Sequence, residues 1–346
     1  MNQPTSLAPA PLPPTQNRLV AMLRRAGLLD WFLLGLISVV ALAYMMPDLG
    51  SKSSPVPWKA ITMAGVALIF FFYGLRLSME KLRAGLRNWR LHVVVQLITF
   101  VVFPVLALLF RPLFEGVKGV QLWQSIFFLC TLPSTVSTSV VMVSIARGNL
   151  PAAIFNASIS SLLGIVLTPL WTGLLLHTTT DGGHLWGLAL SLTWQVILPV
   201  VAGVLLNRRW GALAERHKGR LRISDQLVIL LIVFTAFCES FAEGIFRSYA
   251  PTDVALLAVG MVGLYLAVFG AVWALSQLLG FSRQDRITAL FCGSKKSLVH
   301  GSVMASLLFP GMAATGLLLL PLMLYHALQI ILASMMAQRM GQVAEA

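Results

Sequence analysis

The chain alternates long apolar runs with short polar or basic segments along most of its 346 residues. A helix needs about 20 mostly apolar residues to cross the hydrocarbon core of a bilayer. The segments that meet this requirement are 28–46, 60–79, 91–110, 122–146, 151–176, 185–206, 224–244, 252–279, 287–309 and 313–337. The pattern therefore predicts an all-α integral membrane protein with ten transmembrane helices, in one domain over residues 26–338.

The distribution of basic residues predicts the orientation of these helices. With the N-terminus in the cytoplasm, 18 of the 25 Lys and Arg residues fall in cytoplasmic segments and 5 in external segments. The remaining 2 are Lys295 and Lys296, inside the ninth predicted span. Cytoplasmic loops are enriched in Lys and Arg. We therefore expect a multi-pass protein of the plasma membrane, the inner membrane of a bacterium. The cytoplasmic tails of the protein would be residues 1–25, which are expected to be disordered, and residues 339–346.

Composition agrees with a membrane protein and argues against other classes. Hydrophobic residues make up 58% of the chain and charged residues 11%, whereas soluble domains carry roughly a quarter charged residues. Cytoplasmic loops explain the net charge of +13, so no nucleic-acid partner is expected. Cys130, Cys238 and Cys292 lie in apolar runs, which argues against disulfides and zinc sites. The chain has no nucleophile elbow, phosphate loop or metal-ligand motif, so an enzyme is not predicted.

Two of the predicted spans carry helix-breaking residues near their middle. Pro133 interrupts the fourth span and is followed by a run of five Ser and Thr residues. Pro lacks the N–H that a helix ladder needs, and Ser and Thr side chains can bond the freed backbone groups. In the ninth span, Gly293 precedes Lys295 and Lys296. A broken helix persists in lipid only where protein or a water-filled cavity surrounds the break. We therefore predict that helices 4 and 9 are discontinuous and cross at a polar site.

The order of the spans predicts an internal repeat. The basic segment 207–222 divides the spans into two sets of five, at about 28–176 and 185–337. Subtracting 162 from residue numbers in the ninth span gives identical residues in the fourth. The identical pairs are Cys292 with Cys130, Val303 with Val141, Met304 with Met142, and Ser306 with Ser144. With five helices in each set, equivalent helices run in opposite directions, so the repeats are expected to be inverted.

Lys295 and Lys296 need an explanation, because a charge near the bilayer centre costs at least about 2.5–3.5 kcal/mol. The two lysines could attract an anion or exchange a coupling proton. They could instead pair with a helix C-terminus or take the place of a bound cation. A third interpretation ends the ninth span earlier and puts both lysines at the membrane interface. The residues alone leave these three interpretations open.

Other polar residues within the apolar runs give weaker signals. Glu239 and Glu243 are four residues apart and share a helix face, which suits either a cation site or a solvated helix end. His300 follows the lysines closely enough to face the same cavity, although a lone histidine is more often structural. His326 and Gln329 in the tenth span are weaker candidates still.

At these positions the chain resembles the bile acid:sodium symporter family. The shared pattern is Pro133, the Ser/Thr run, the turn Ala146-Arg147-Gly148-Asn149, and the segment 293–298 with the sequence GSKKSL. The resemblance covers roughly residues 25–338 and extends to a subgroup of bacterial proteins and the branch of human solute carrier family 10 member 7. It implies a panel domain and a core domain, with two broken helices that cross in the core.

The resemblance also implies a site around the two breaks. Sodium-coupled members bind sodium with a Glu and a Gln in the ninth span, where this chain has lysines and no carboxylate. One sodium site is therefore expected to be lost and the other altered, with a lysine ammonium in the place of a cation. The residues expected at the substrate or in coupling are Pro133, Ser134, Thr135, Ser294, Lys295, Lys296, Ser297 and His300. The residues expected at the cation site are Gln96, Ser137, Thr138, Ser139, Asn156 and Ser158.

The expected function is secondary active transport of an organic anion across the cytoplasmic membrane by alternating access, coupled to sodium or protons. Half-helix N-termini and a lysine would attract the anion. The alternative is a membrane protein that affects ion homeostasis without transporting, because the human branch is linked with calcium. No cofactor is expected beyond Na+ or H+ as the coupling ion. The sequence does not determine the substrate or the oligomeric state.

Overall fold

The computed structural model describes residues 31–77, 88–176, 196–309 and 314–342. The predicted N-terminal tail and residues 185–195 of the predicted sixth span lie outside the described residues. The last helix continues to Gln342, so the C-terminal tail predicted to begin at residue 339 starts with helical residues.

Helices dominate the described residues, and no strand occurs among them. In chain order they are α1 (Trp31–Met45), α2 (Trp58–Arg76), α3 (Trp89–Leu97), α4 (Phe103–Leu109), α5 (Gly116–Thr131), α6 (Ser137–Ile145), α7 (Leu150–Leu175), α8 (Leu198–Arg216), α9 (Lys218–Ala242), α10 (Pro251–Leu278), α11 (Arg283–Gly293), α12 (Leu298–Leu308) and α13 (Thr315–Gln342). Short helical turns occur at Pro47–Gly50, Arg111–Leu113 and Ile245–Ser248.

Within the described residues, six helical stretches are long and apolar enough to span a membrane. They are Trp58–Arg76, Trp89–Leu113, Leu150–Leu175, Lys218–Ala242, Pro251–Leu278 and Thr315–Gln342. Large apolar side chains such as Val166, Leu170 and Leu174 are exposed along one face of α7, which suits contact with lipid. The protein is therefore a multi-pass integral membrane protein, and its all-helical fold is the predicted class.

The interruptions predicted in the fourth and ninth spans are present. Residues 132–136 separate α5 from α6 and are called the first break. Residues 294–297 separate α11 from α12 and are called the second break. Ser297 ends the second break as the N-cap of α12, where its hydroxyl accepts a hydrogen bond from the His300 N–H at 3.3 Å.

A widened helical turn, Ile98–Val102, joins α3 to α4. In this turn the Phe103 N–H donates to the Ile98 carbonyl, five residues earlier. In the same register residue 104 would donate to the Thr99 carbonyl, but Pro104 has no N–H. The sequence therefore leaves the Thr99 carbonyl without its helical donor.

The described helices pack in two groups. The four-helix group consists of α1, α2, α8 and α9, in which α2 and α8 lie closest. Gly74 faces Val200 and Gly203 faces Phe71 across that contact, where a Cβ atom on either glycine would overlap the opposing backbone. The interrupted-helix group contains α5, α6, α11 and α12, packed with α3, α7, α10 and α13. The two groups meet where α9 contacts α12 and α13.

Candidate functional site

The two breaks contact each other directly. The Ser297 N–H donates to the Pro133 carbonyl at 2.9 Å. The Ser134 hydroxyl donates to the Cys292 carbonyl at 2.6 Å. All four residues are buried. The structure thus brings three of the predicted site residues, Pro133, Ser134 and Ser297, into one cluster.

The end of α5 exposes carbonyls that need donors from other parts of the chain, because buried backbone groups are costly to leave unpaired. The Leu132 N–H donates to the Leu129 carbonyl at 3.2 Å. The Thr168 hydroxyl donates to the Thr131 carbonyl at 2.9 Å. Neither of these two donors bonds the carbonyls of Cys130 and Leu132, which therefore require a further donor.

Lys296 is that donor. Its fully buried ammonium donates to the carbonyls of Cys130 at 2.6 Å, Leu132 at 2.8 Å and Thr99 at 2.8 Å. An ammonium has three N–H groups, so these bonds use all of them. The Phe103 ring adds a cation–π contact, with its centroid 4.0 Å from Nζ. Lys296 therefore pairs with a helix C-terminus, one of the interpretations that the sequence left open.

Lys295 is equally buried but is bonded differently. The described residues give its ammonium one hydrogen bond, to the Thr138 carbonyl at 3.1 Å. Thr138 lies in the first turn of α6, so Lys295 reaches the second half of the interrupted span and Lys296 the first half. Helices α11 and α12 extend to either side of both lysines. The interpretation that places them at the membrane interface, with the span ending before Lys295, does not fit this structure.

Gln329 on α13 holds the backbone of Lys296. Its Oε1 accepts from the Lys296 N–H at 2.9 Å, and its Nε2 donates to the Lys296 carbonyl at 2.8 Å. The Tyr325 hydroxyl donates to the Ser294 carbonyl at 2.7 Å, one turn away on the same face of α13. Sequence reasoning ranked Gln329 low. The spacing of Tyr325 and Gln329, four residues apart in an apolar span, is the signal that could have identified this face.

His300 faces the four-helix group, and no hydrogen bond joins its ring to either lysine among the described residues. Its Nδ1 lies 3.1 Å from the Ser297 hydroxyl. Its ring packs against Phe70 and Tyr73 of α2, with ring centroids 6.2 and 6.0 Å away. The Tyr73 hydroxyl also donates to the Ser158 carbonyl on α7 at 2.8 Å. These contacts join the two helix groups near the C-terminal end of α2.

The residues expected at a cation site fall into two clusters. The first is a hydroxyl chain at the start of α6, in which Thr138 donates to Thr135 at 2.7 Å and the Thr135 hydroxyl lies 2.9 Å from that of Ser139. Ser137 begins the same helix, and its side chain lies outside the described part of the structure. The Lys295 ammonium reaches the same turn through the Thr138 carbonyl.

The second cluster is an amide pair on α3 and α7. Gln96 Nε2 lies 3.3 Å from both the backbone and the side-chain oxygen of Asn156. Asn156 Nδ2 donates to the Ala152 carbonyl at 3.1 Å. Ser158 contributes its carbonyl to the contact with α2. Among the described residues, no hydrogen bond joins this pair to the hydroxyl chain, and neither cluster contains a carboxylate.

A cavity of about 850 Å³ lies between the two helix groups, where α2 begins and where α9 and α12 end. We call it the Trp58 cavity. Its wall combines apolar residues, including Trp58, Val66 and Phe309, with the polar residues Lys59 and Glu239. A space of this size suits a drug-sized ligand.

The rim of the Trp58 cavity carries an ion pair. The buried Glu239 carboxylate accepts from the Lys52 ammonium at 2.7 Å and from the Lys52 N–H at 2.9 Å. The hydrogen bond to Glu239 raises the pKa of Lys52 above its ordinary value. Glu243 is exposed. The two acids predicted to share a helix face therefore differ, because Glu239 is ion-paired at the cavity and Glu243 is solvated.

Comparison with known proteins places this chain in a family. Residues 30–342 match the model of the SBF-like CPA transporter family. The chain is 41% identical over 318 residues to "Uncharacterized protein PA2026" of Pseudomonas aeruginosa, covering 92% of this chain and 95% of that protein. It is 39% identical over 314 residues to "Putative symporter YfeH" of Escherichia coli (strain K12), covering 90% and 93%. It is 31% identical over 316 residues to "Sodium/bile acid cotransporter 7" of Xenopus tropicalis, covering 89% and 90%. The resemblance read from the Ser/Thr run and the GSKKSL segment is confirmed, and the chain belongs to the SBF-like CPA transporter family.

Proposed function

We propose that this protein is a secondary active transporter that carries an organic anion across the plasma membrane by alternating access, coupled to sodium or protons. Two relatives support this, since one is named a symporter and another a sodium/bile acid cotransporter. The observation that carries the proposal is the contact between two interrupted helices with two fully buried lysines beside it. Ionisable groups inside a membrane bundle are costly and mark substrate or ion pathways.

We infer that the chain forms ten spans in two inverted repeats, with both termini in the cytoplasm. The helix ends support the repeat. A shift of 162 residues carries the end of α5 at Thr131 onto the end of α11 at Gly293. The same shift carries the start of α6 at Ser137 to within one residue of the start of α12 at Leu298.

The hydrogen bonds between the breaks support the same repeat. The shift of 162 relates Ser134 to Lys296 and Cys130 to Cys292. Ser134 donates to the Cys292 carbonyl, and Lys296 donates to the Cys130 carbonyl. The side chains at equivalent positions of the two breaks, Ser134 and Lys296, therefore donate to equivalent carbonyls, each on the helix that precedes the other break. Two helices that were broken independently would not be expected to make such reciprocal hydrogen bonds.

The Trp58 cavity is the proposed route of entry for the anion. Glu239 is paired with Lys52, so Lys59 supplies the positive charge near its mouth, and Trp58 and Val66 supply apolar surface. In the orientation predicted from the basic residues, this cavity faces the outside. At the opposite end of α2, the bond from Tyr73 closes the contact between the two groups. We assign this arrangement to an outward-facing state, in which the interrupted-helix group acts as the core and the four-helix group as the panel.

Lys295 is the proposed coupling residue. Its ammonium lies against the first turn of α6, beside the hydroxyl chain of Thr135, Thr138 and Ser139. A sodium ion bound to these hydroxyls and to the Thr138 carbonyl would compete with the ammonium for that carbonyl. The ion that crosses the membrane with the substrate would then be either the proton held by Lys295 or a sodium ion. The pair of Gln96 and Asn156 is the second part of the proposed cation site.

Uptake into proteoliposomes tests the proposal. The probes are two radiolabelled amphipathic anions, a bile acid and a steroid sulfate, with an inward sodium gradient, an inward proton gradient, or neither. We expect one gradient to drive accumulation by the wild-type protein. Lys295→Met keeps the length and removes the charge, so uptake should lose its dependence on that gradient. Lys118→Met is the matched control, because Lys118 is exposed in the first turn of α5.

The outcomes separate transport from regulation. A folded wild-type protein that accumulates neither anion under either gradient contradicts the proposal and favours the alternative of a regulatory membrane protein. Accumulation that keeps its gradient dependence in Lys295→Met contradicts the role of Lys295 and leaves transport intact.

A further inference from the structure

Three carbonyl oxygens converge on one buried point, at the two places where a helical hydrogen-bond ladder is interrupted. Pro104 cannot donate to Thr99 in the widened turn between α3 and α4. Pro133 lies directly after Leu132, where the helix ladder of α5 stops. The carbonyls of Cys130 and Leu132 then point out of the end of α5, which carries the negative end of the helix dipole. Three partial negative charges in one buried place form a site for a monovalent cation.

The Lys296 ammonium occupies that site with the coordination of a bound ion. Its three bonds to these carbonyls measure 2.6 to 2.8 Å, and the face of Phe103 closes a further side. Among the described residues no carboxylate pairs with Lys296, so the carbonyls and the aromatic ring are the groups that compensate its charge. The ammonium is saturated, and no N–H remains for a substrate.

We propose that these three carbonyls form a monovalent-cation cage whose cation is built into the chain as Lys296, and that the cage takes up a free primary ammonium ion when the side chain is shortened. The equivalent residue Ser134 satisfies one carbonyl with a neutral hydroxyl, whereas Lys296 meets three carbonyls with a charged group. The cage is therefore a device that holds the two breaks together. It does not depend on transport, so its test is independent of the proposed function.

Chemical rescue of the purified protein in detergent tests the cage. Lys296→Ala keeps Cβ and removes three carbons and the nitrogen, which n-propylammonium restores. We expect Lys296→Ala to have a lower thermal midpoint than the wild-type protein. Adding n-propylammonium chloride should raise that midpoint along a saturating curve, as binding to the folded state alone requires. Neither the wild-type protein nor Lys295→Ala should respond, because the first has a filled cage and the second keeps Lys296.

Two controls separate the cage from general effects. Neutral 1-propanol has nearly the same shape and should give no rescue, and tetramethylammonium chloride controls for ionic strength. Equal responses to n-propylammonium by Lys296→Ala and Lys295→Ala, or equal rescue by 1-propanol, overturn the proposal. If Lys296→Ala yields no folded protein, Lys296→Met decides the question. If the thermal midpoint of Lys296→Met is at or above that of the wild-type protein, the carbonyls need no cation and the proposal is wrong. If the midpoint falls in Lys296→Met but not in Lys295→Met, the result supports the cage.

Discussion

Replacing Gln329 with Leu tests how the second break is held in place. The substitution keeps nearly the same volume and removes both partners of the Lys296 backbone, an acceptor at 2.9 Å and a donor at 2.8 Å. Gln329 and Lys296 are both at 0% exposure, so solvent cannot replace the lost bonds. A buried donor or acceptor without a partner costs about 1–3 kcal/mol. Two such groups lower the free energy of unfolding by about 2–6 kcal/mol, which lies at the large end for a single substitution.

The protein carries its own reporters for this measurement. Cys130, Cys238 and Cys292 are free and buried, so a thiol-reactive fluorogenic dye signals their exposure during heating in detergent. At about 1.4 °C per kcal/mol for a chain of this length, the midpoint of Gln329→Leu should fall by at least about 3 °C. Gln277→Leu makes the same chemical change at an exposed position of α10 and should leave the midpoint unchanged. Equal midpoints for the two variants would falsify the reasoning, because the break would then have satisfied its backbone in another way.

Two further substitutions test the contacts between helices. Tyr73→Phe keeps the ring against His300 and deletes the bond to the Ser158 carbonyl. If the proposed alternating access holds, a lost bond of about 1 kcal/mol shifts the balance of its two conformers roughly fivefold toward the inward-facing one. Spin labels at the C-terminal end of α2 and the N-terminal end of α7 would detect this shift as a longer distance. Gly203→Ala places a methyl group against the α2 backbone and should lower the thermal midpoint by the equivalent of about 1–3 kcal/mol. Gly263→Ala meets open space and should not lower it.

The positions of the breaks could be predicted because local chemistry determines them. Pro133 removes a donor wherever the helix lies, and the Ser/Thr run after it supplies short-range partners. Long apolar runs identify most helices for the same reason, since lipid leaves few other ways to satisfy the backbone. The Ser297 cap is also a local device, formed within three residues of the chain.

The partners of the lysines could not be predicted, because they come from distant parts of the chain. The Lys296 ammonium bonds Thr99, which is 197 residues away, in a widened turn whose register the sequence does not reveal. Gln329 supports the break from 33 residues away, and a lone amide in an apolar span has many alternative partners. The ion pair of Lys52 and Glu239 joins a loop to a helix 187 residues later. Each contact depends on how the helices pack against one another, and the hydrophobic pattern of the sequence does not determine that packing.

The two adjacent lysines have different surroundings, which bears on the role proposed for each. The second break is not helical, so Lys295 and Lys296 reach opposite halves of the interrupted fourth span. Lys296 lies at the C-terminal end of α5, where the helix dipole favours a cation. Lys295 lies at the first turn of α6, where the same effect disfavours a cation and favours an anion. An anionic group beside Lys295 would be attracted both by the ammonium and by the helix N-terminus. For that reason we assign the proposed organic anion and its coupling to Lys295, and the stability of the break to Lys296.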